Sequence, residues 1–405
     1  MQFLPAASAA LSAEPVRPAP ASGGVARPAR VAAPASAGAA LGNNVKSVDR
    51  MGAHERNLSR FASKWAAANL LKGLSEADAK RVSHCGYIAR QTEVELRRDS
   101  GNAKAHFAGL KTCGSVWWCP CCSPRIAAQR KDDLDRLLVG ARAERLAVVM
   151  LTLTFRHNRG MALAPSLGGL KDALRRFRQR REWRALPVVG SVTATEVTFG
   201  GNGWHPHSHI LIVLDCPPTE AVQSVAALAS VWLTCLQGQG LTGNDAAFQV
   251  QGASAAGAYV AKFGAAEEMA LSGKKAGRKG SRSPWQLLDD ARDGDKRAAA
   301  AWLEYAAAFK GRRQLVWSPG LKARFGVDDV SDDDASAEGA AEEVPTIETL
   351  RVWLGSSLRW RDARRRRCAL TDAAEGGGSL DAAEYGLTDA ARWRSLGGEL
   401  VIEPD

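Results

Sequence analysis

Tyrosine is scarce in this chain: only Tyr87, Tyr259, Tyr305 and Tyr385 occur in 405 residues, so any chemistry that runs through a phenol has few candidates. Histidine is scarce as well, with seven in total. No run approaches the roughly 20 consecutive apolar residues of a membrane-spanning helix, which argues against membrane burial. The N-terminus lacks a charged start followed by an apolar block. Its Ala/Pro/Gly wording resembles neither a secretory signal nor an amphipathic transit peptide, so a cytoplasmic location is expected. No internal repeat is visible. Residues 327–346 lack basic groups altogether while holding eight acidic ones. Because the formal net charge is still +11, the remainder is more basic than that figure, and a polyanion is its natural partner.

Residues 1–45 are dominated by Ala, Pro, Gly and Ser, and too few large apolar side chains are present to offset the entropy of ordering. A disordered tail is expected there. A helical, cysteine-bearing region follows over 50–135, and a catalytic body over 136–326. The acidic stretch 327–345 reads as a self-repelling, solvated linker, and 346–405 as a small basic, helical C-terminal segment. The fold class expected is α+β, an antiparallel β-sheet with flanking helices plus a small zinc-binding element.

Within the body, Leu146 to Phe155 (LAVVMLTLTF) is apolar and β-branched and reads as a central strand. Leu167 to Trp183 spaces Leu170, Leu174 and Phe177 at helical intervals among arginines, giving an amphipathic helix with a basic face. Val188 to Phe199 and His207 to Leu214 are strand-like runs joined by GGNGW, a hairpin turn. Helices are expected over Pro218 to Leu236 and Ala253 to Ala270.

Three histidines fall within five residues, at His205, His207 and His209, directly before the run Ile210 to Leu214. Side chains two apart on a strand share a face, so His207 and His209 can converge on one cation. Pro206 suits a strand start, which leaves His205 at the turn. Glu196, on the preceding strand, should lie opposite or diagonal to the pair and add a hard oxygen ligand. Two histidines and a carboxylate with open positions suit Mg²⁺ or Mn²⁺ acting on a phosphate. The plainer alternative is a pair of solvated histidines beside an ordinary surface carboxylate.

Tyr259, in GAYVAKFGAAEE, has Lys262 one helical turn away, where an ammonium can lie beside the phenol or the phosphate it attacks. A tyrosine that merely anchors a helix to the core is the alternative.

Four of the eight cysteines lie between Cys113 and Cys122. In a reducing compartment that clustering points to metal rather than disulfides. Cys85, Cys113, Cys119 and Cys122 form a candidate tetrahedral Zn²⁺ site, with His84 able to replace Cys85 and Cys121 able to replace Cys122. Two further basic segments, Ser272 to Trp285 and Arg364 to Arg367, suit phosphate contact or a merely solvated role.

Taken in order, FAGLKTCGSVWWCPCC, VMLTLTFRHN, GWHPHSHILIVLD, AYVAKF and LVWSPGLK resemble the motifs of rolling-circle plasmid replication initiators of the HUH endonuclease superfamily, over roughly residues 80 to 326. The resemblance implies that His207 and His209 are the metal pair and that Tyr259 forms a 5′-phosphotyrosyl link with Lys262 beside it. It implies nicking of one origin strand, a freed 3′-hydroxyl that primes synthesis, and later rejoining. The partners implied are single- and double-stranded origin DNA, with host helicase and polymerase. Some single-tyrosine relatives carry a glutamate four residues before the tyrosine, where this chain has Ala255; Glu267 and Glu268 are possible substitutes. The rivals are a transposase or relaxase of the same superfamily and a non-enzymatic zinc protein that binds DNA.

Overall fold

The structure is a computed structural model that describes residues 53–101, 103–252, 280–338 and 347–385. In chain order its α-helices longer than four residues are α1 (Ala53–Leu71), α2 (Glu76–His84), α3 (Cys122–Ala143), α4 (Leu163–Gln179), α5 (Pro218–Ala226), α6 (Ala229–Gln237), α7 (Pro284–Arg292), α8 (Lys296–Phe309), α9 (Asp332–Glu338), α10 (Leu358–Ala363), α11 (Arg367–Gly376) and α12 (Leu380–Tyr385). The strands are β1 (Glu93–Asp99), β2 (Ala105–Ala108), β3 (Ala147–Thr154), β4 (Val188–Gly200), β5 (Gly203–Leu214), β6 (Phe248–Gly252), β7 (Leu315–Trp317) and β8 (Ile347–Leu354). They make the expected α+β architecture of antiparallel sheets flanked by helices.

The larger sheet has the order β6-β3-β5-β4-β7, and every pairing in it is antiparallel. It is covered on both faces, which explains why β3 and β5 read as near-continuous apolar runs rather than alternating ones. On one face Val149, Leu151 and Leu153 of β3, with Ile210 and Ile212 of β5, pack against Leu170, Leu174 and Phe177 of α4 and Trp232 of α6. On the other, Val148, Met150, Leu211 and Val213 pack against Leu134, Leu137 and Ala141 of α3. Odd-numbered residues of β5 therefore belong to the α3 face, and that parity carries His205, His207 and His209 with it.

Several boundaries differ from expectation. The hairpin turn is tighter than read, with Gly200 paired to Gly203, so β5 begins at Gly203 and His205 lies within it, opposite Thr198. Gly203 holds the left-handed conformation (φ +82°), and a Cβ there would meet Asn158 O and Arg159 Cα at 3.2 and 3.1 Å; glycine thus seats the hairpin tip on the loop after β3.

The stretch Pro218–Gln237 is, by length and composition, apolar enough for a membrane span, which corrects the expectation that no such run exists. In the fold it is broken into α5 and α6, which bury Ala221, Val225, Trp232, Cys235 and Leu236 in the core.

The acidic stretch is not solvated throughout. Asp332–Glu338 is a helix whose Ala335 and Ser336 are buried, and Asp332 pairs with Arg130 of α3 at 2.9 Å; burial and that pairing outweigh the local repulsion. The boundary expected at residue 135 falls inside α3. Residues beyond 346 do not form a separate helical piece either, because β8 pairs with β1 in a second sheet of order β2-β1-β8. Its core joins Val94, Leu96, Trp353, Trp360 and Leu370. The expected tail 1–45 and helix 253–270 lie outside the described residues.

Candidate active site and metal centres

Strand register builds the first site. The two-residue turn at Gly201 and Asn202 aligns Glu196 opposite His207 and Ala194 opposite His209, so the carboxylate faces one imidazole directly and the other diagonally, as expected. Ligand atoms of Glu196, His207 and His209 all lie within 4.8 Å of one another. Glu196 Oε2 is 3.1 Å from His207 Nε2 and 3.3 Å from His209 Nε2. Burial would raise the Glu196 carboxyl, but its hydrogen bonds to His207 and His209 hold it well below the usual carboxylate range.

The outer contacts decide which nitrogens are available. His207 Nδ1 lies 3.3 Å from the carbonyl oxygen of His205, which can only accept; a proton on Nδ1 satisfies that contact, and the neutral ring then leaves Nε2 available as a ligand. Thr152 Oγ1 engages His209 Nδ1 at 3.0 Å, turning that Nε2 toward Glu196 as well. In that tautomer a cation between the two groups would take the place of the Nε2–H···Oε2 hydrogen bond. The donor set therefore fits a divalent cation held by Glu196, His207 and His209.

His205 does not join them. The Thr154 hydroxyl donates to Pro206 O at 2.8 Å, so it accepts from His205 Nε2 at 3.0 Å, which commits that nitrogen as a donor. The His205 ring stacks on His157 at 4.6 Å. Burial, with His207 and His157 nearby, pushes the His205 imidazole down to about 4. Thr152, Thr154 and His157 were missed in the sequence, and the threonine alternation in LTLTF was the available signal.

The second centre is built from Cys85 at the end of α2, Cys113 and Cys119 in the loop after β2, and Cys122 at the start of α3. The four sulfurs form one buried group. Cys85 Sγ lies 3.3 Å from Cys122 Sγ and 3.6 Å from Cys119 Sγ, and Cys113 Sγ lies 3.6 Å from Cys122 Sγ. Disulfide sulfurs stand about 2.05 Å apart. Zinc–sulfur bonds of about 2.3 Å set tetrahedral sulfurs roughly 3.8 Å apart, close to these distances. Neither His84 nor Cys121 belongs to the group.

Two buried cations stand beside it. Lys64 of α1, at 0 % exposure, donates from Nζ to the carbonyls of Cys85 and Ser83 at 2.9 and 3.2 Å. Arg367 of α11, at 5 %, donates to Gly86 O at 2.7 Å. Among the described residues neither forms an ion pair with a carboxylate. Four thiolates around Zn²⁺ carry two net negative charges and would supply the missing counter-charge.

Of the described tyrosines, Tyr305 is buried beside Trp204, and burial pushes its phenol far above the usual range. Tyr259, Lys262, Ala255, Glu267 and Glu268 lie outside the described residues.

Comparison with known proteins gives two similarities. Residues 104–217 match a family described as "Replication protein", and the match takes in Cys113, Cys119, Cys122, Glu196, His207 and His209. A curated relative, "Protein rep" of Streptomyces lividans, is 26% identical over 345 residues, covering 64% of this chain and 75% of the relative. No solved structure matches. The chain is thus similar to replication proteins in its central segment and over a longer alignment, and these similarities support a plasmid replication initiator.

Proposed function

We propose that this chain is a rolling-circle replication initiator that binds plasmid origin DNA and nicks one strand through Tyr259. The observation that carries the reading is the convergence of Glu196, His207 and His209 on one point of the sheet, with both histidine Nε2 atoms turned toward the carboxylate. A divalent cation held there, Mg²⁺ or Mn²⁺, would polarise a phosphate oxygen as a Lewis acid. Thr152 and the His205 carbonyl hold the two imidazoles in place. The Tyr259 oxygen attacks phosphorus, a 5′-phosphotyrosyl bond forms, and the 3′-oxygen leaves to become the primer hydroxyl. Since one phosphoester replaces another, the strand can be rejoined without a nucleotide cofactor. Lys262 stabilises the phenolate.

Chain connectivity supports this assignment. Gly252, just before the tyrosine segment, pairs with Val149, whereas Arg282, just after it, bridges Phe199 near the hairpin tip. Those two anchors stand on opposite sides of the histidine level. The Cys85, Cys113, Cys119 and Cys122 centre is a structural Zn²⁺ site, closed by four protein ligands. Host helicase and polymerase would act on the nicked product.

The test is mass spectrometry of the protein mixed with origin single-stranded DNA and Mn²⁺. Tyr259→Phe should abolish the covalent nucleotide adduct while leaving DNA binding intact, and an adduct that persisted would refute the assignment. Nicking of supercoiled plasmid separates this reading from a zinc protein that only binds DNA.

A further inference from the structure

A cleft of about 240 Å³ opens beside the cysteine centre, where α1, the turn after α2, the loops around β1 and β2, the start of α3 and α11 meet. Arg60, Arg90, Lys111, Arg125 and Arg367 line it, each from a different segment, and no carboxylate does. Among the described residues none of the five is ion-paired; the side-chain hydrogen bonds of Arg125 and Arg367 go to the carbonyls of Ser336 and Gly86. The guanidinium of Arg367 is stacked on Phe61 at 3.4 Å, which fixes it as part of the floor. His106 faces the same cleft, and its Nε2 is buried without a hydrogen-bond partner.

Positive groups gathered without acids repel one another unless an anion enters. A zinc-loaded cysteine centre offsets Lys64 and Arg367, the two cations buried against it. Arg60, Arg90, Lys111 and Arg125 are exposed and remain uncompensated. An orphaned imidazole nitrogen and four uncompensated cations around one concavity are what a phosphate needs: charge, several donors, and a pocket that excludes other contacts.

We propose that this cleft is a second DNA-contact site, separate from the histidine centre, that grips the phosphodiester backbone. It rests on the reading that the chain acts on DNA, and it gives the cysteine centre a use: the Cys113 to Cys122 loop and α3 hold Lys111 and Arg125 in place around the cleft. The Arg364 to Arg367 run also gains a role there, with Arg367 in the floor and Arg364 stacked on Tyr87 at 4.3 Å.

The experiment uses the full-length protein and the triple variant Arg60→Ala, Arg90→Ala, Lys111→Ala, all at exposed positions. Binding of a fluorescent 30-base-pair duplex and of the matching single strand is measured across a salt series. Each lost phosphate contact should flatten the slope of log K against log salt by about 0.9 on duplex, or roughly 0.7 on a single strand. A loss of two to three contacts is therefore expected to show as a slope change of about 1.8 to 2.7 on duplex, or about 1.4 to 2.1 on a single strand, on whichever DNA form the cleft holds. Slopes unchanged on both forms would overturn the proposal. Zinc content and thermal midpoint, read on the same preparation, must match the parent, and Arg125→Ala, on a different element, should flatten the slope by one further contact. Cleavage of a short oligonucleotide reports separately on the histidine centre, so failure of nicking and failure of the cleft give different results.

Discussion

The two candidate metal centres of this chain are built by opposite means. The cysteine centre draws its ligands from the end of one helix, a loop and the start of another, across residues 85 to 122, and all four sulfurs are buried. The histidine centre draws three ligands from two adjacent strands of one sheet, and two of them are only partly buried. Loops have no ladder of their own, so a centre built from them must itself hold the loops in place. A sheet holds its side chains whether or not a cation is present. Closed tetrahedral coordination suits the first duty, and a site with positions left for substrate suits the second.

This contrast can be broken most severely at the cysteines. Cys119→Ala removes one of four candidate ligands from a group whose occupation by a metal would organise the segment from α2 to α3. Metal binding to small cysteine sites contributes about 10 kcal/mol or more to folding, so loss of zinc and collapse of this region are expected. Elemental analysis and circular dichroism would read both. A variant that lost the metal but kept the parent thermal midpoint would show that packing, not zinc, holds the loop. Burial pushes the Cys119 thiol up, so a cation beside it would be needed to hold that sulfur as a thiolate.

At the histidine centre the opposite pattern is expected. His207→Ala combined with His209→Ala should lower Mn²⁺-dependent nicking by about 10³-fold, equivalent to roughly 4 kcal/mol of lost transition-state stabilisation. The thermal midpoint should move by only a few degrees, because the sheet core of Leu211, Ile212 and Val213 is untouched. A fall in stability as large as that of the cysteine variant would make the two centres alike and undo the distinction.

Lys64 sharpens the comparison by sign. Burial, then Arg367, lowers its pKa, while the thiols of Cys121, Cys85 and Cys119 act to raise it. If the cysteine centre carries a net negative charge, Lys64→Met removes its buried counter-ion and should cost about 3 kcal/mol in denaturant unfolding. If the thiols are neutral, the same change removes an uncompensated buried cation and should stabilise. The direction of the shift therefore reports the charge of the centre.

How far all this was legible follows from the range over which each signal acts. His207 and His209 were readable because their parity is a property of one strand, and Glu196 because a two-residue turn fixes hairpin register. The grouping of the four cysteines was readable from local spacing, with only Cys85 distant. The start of β5 was misplaced because Pro206 resembled a strand start. Its carbonyl takes the Thr154 hydroxyl, so its missing N–H also points toward β3, and β3 stops opposite His207; the ladder loses nothing there. The pairing of β1 with β8, Glu95 opposite Val352, has no local signature at all. The packed acidic helix was hidden for a related reason: Arg130 and Asp332 are partners only in three dimensions.

The smallest effect tests the support around the histidines. Thr152 stands opposite His209 in the β3–β5 ladder, and its hydroxyl meets Nδ1 at 3.0 Å. Thr152→Val keeps the shape and the β-branching but removes that contact, so the ring can rotate and either nitrogen can carry the proton. Contacts of this kind are worth roughly 10- to 100-fold in metal affinity. Mn²⁺ titration followed by nicking should show the cation requirement shifted upward by that factor, with activity recovered at saturating metal. Recovery separates a positioning role from a ligand, since removing His209 itself should not be rescued by more Mn²⁺. An unshifted titration would mean that sheet packing alone orients His209, and the histidine centre would then owe its geometry to the backbone rather than to its neighbours.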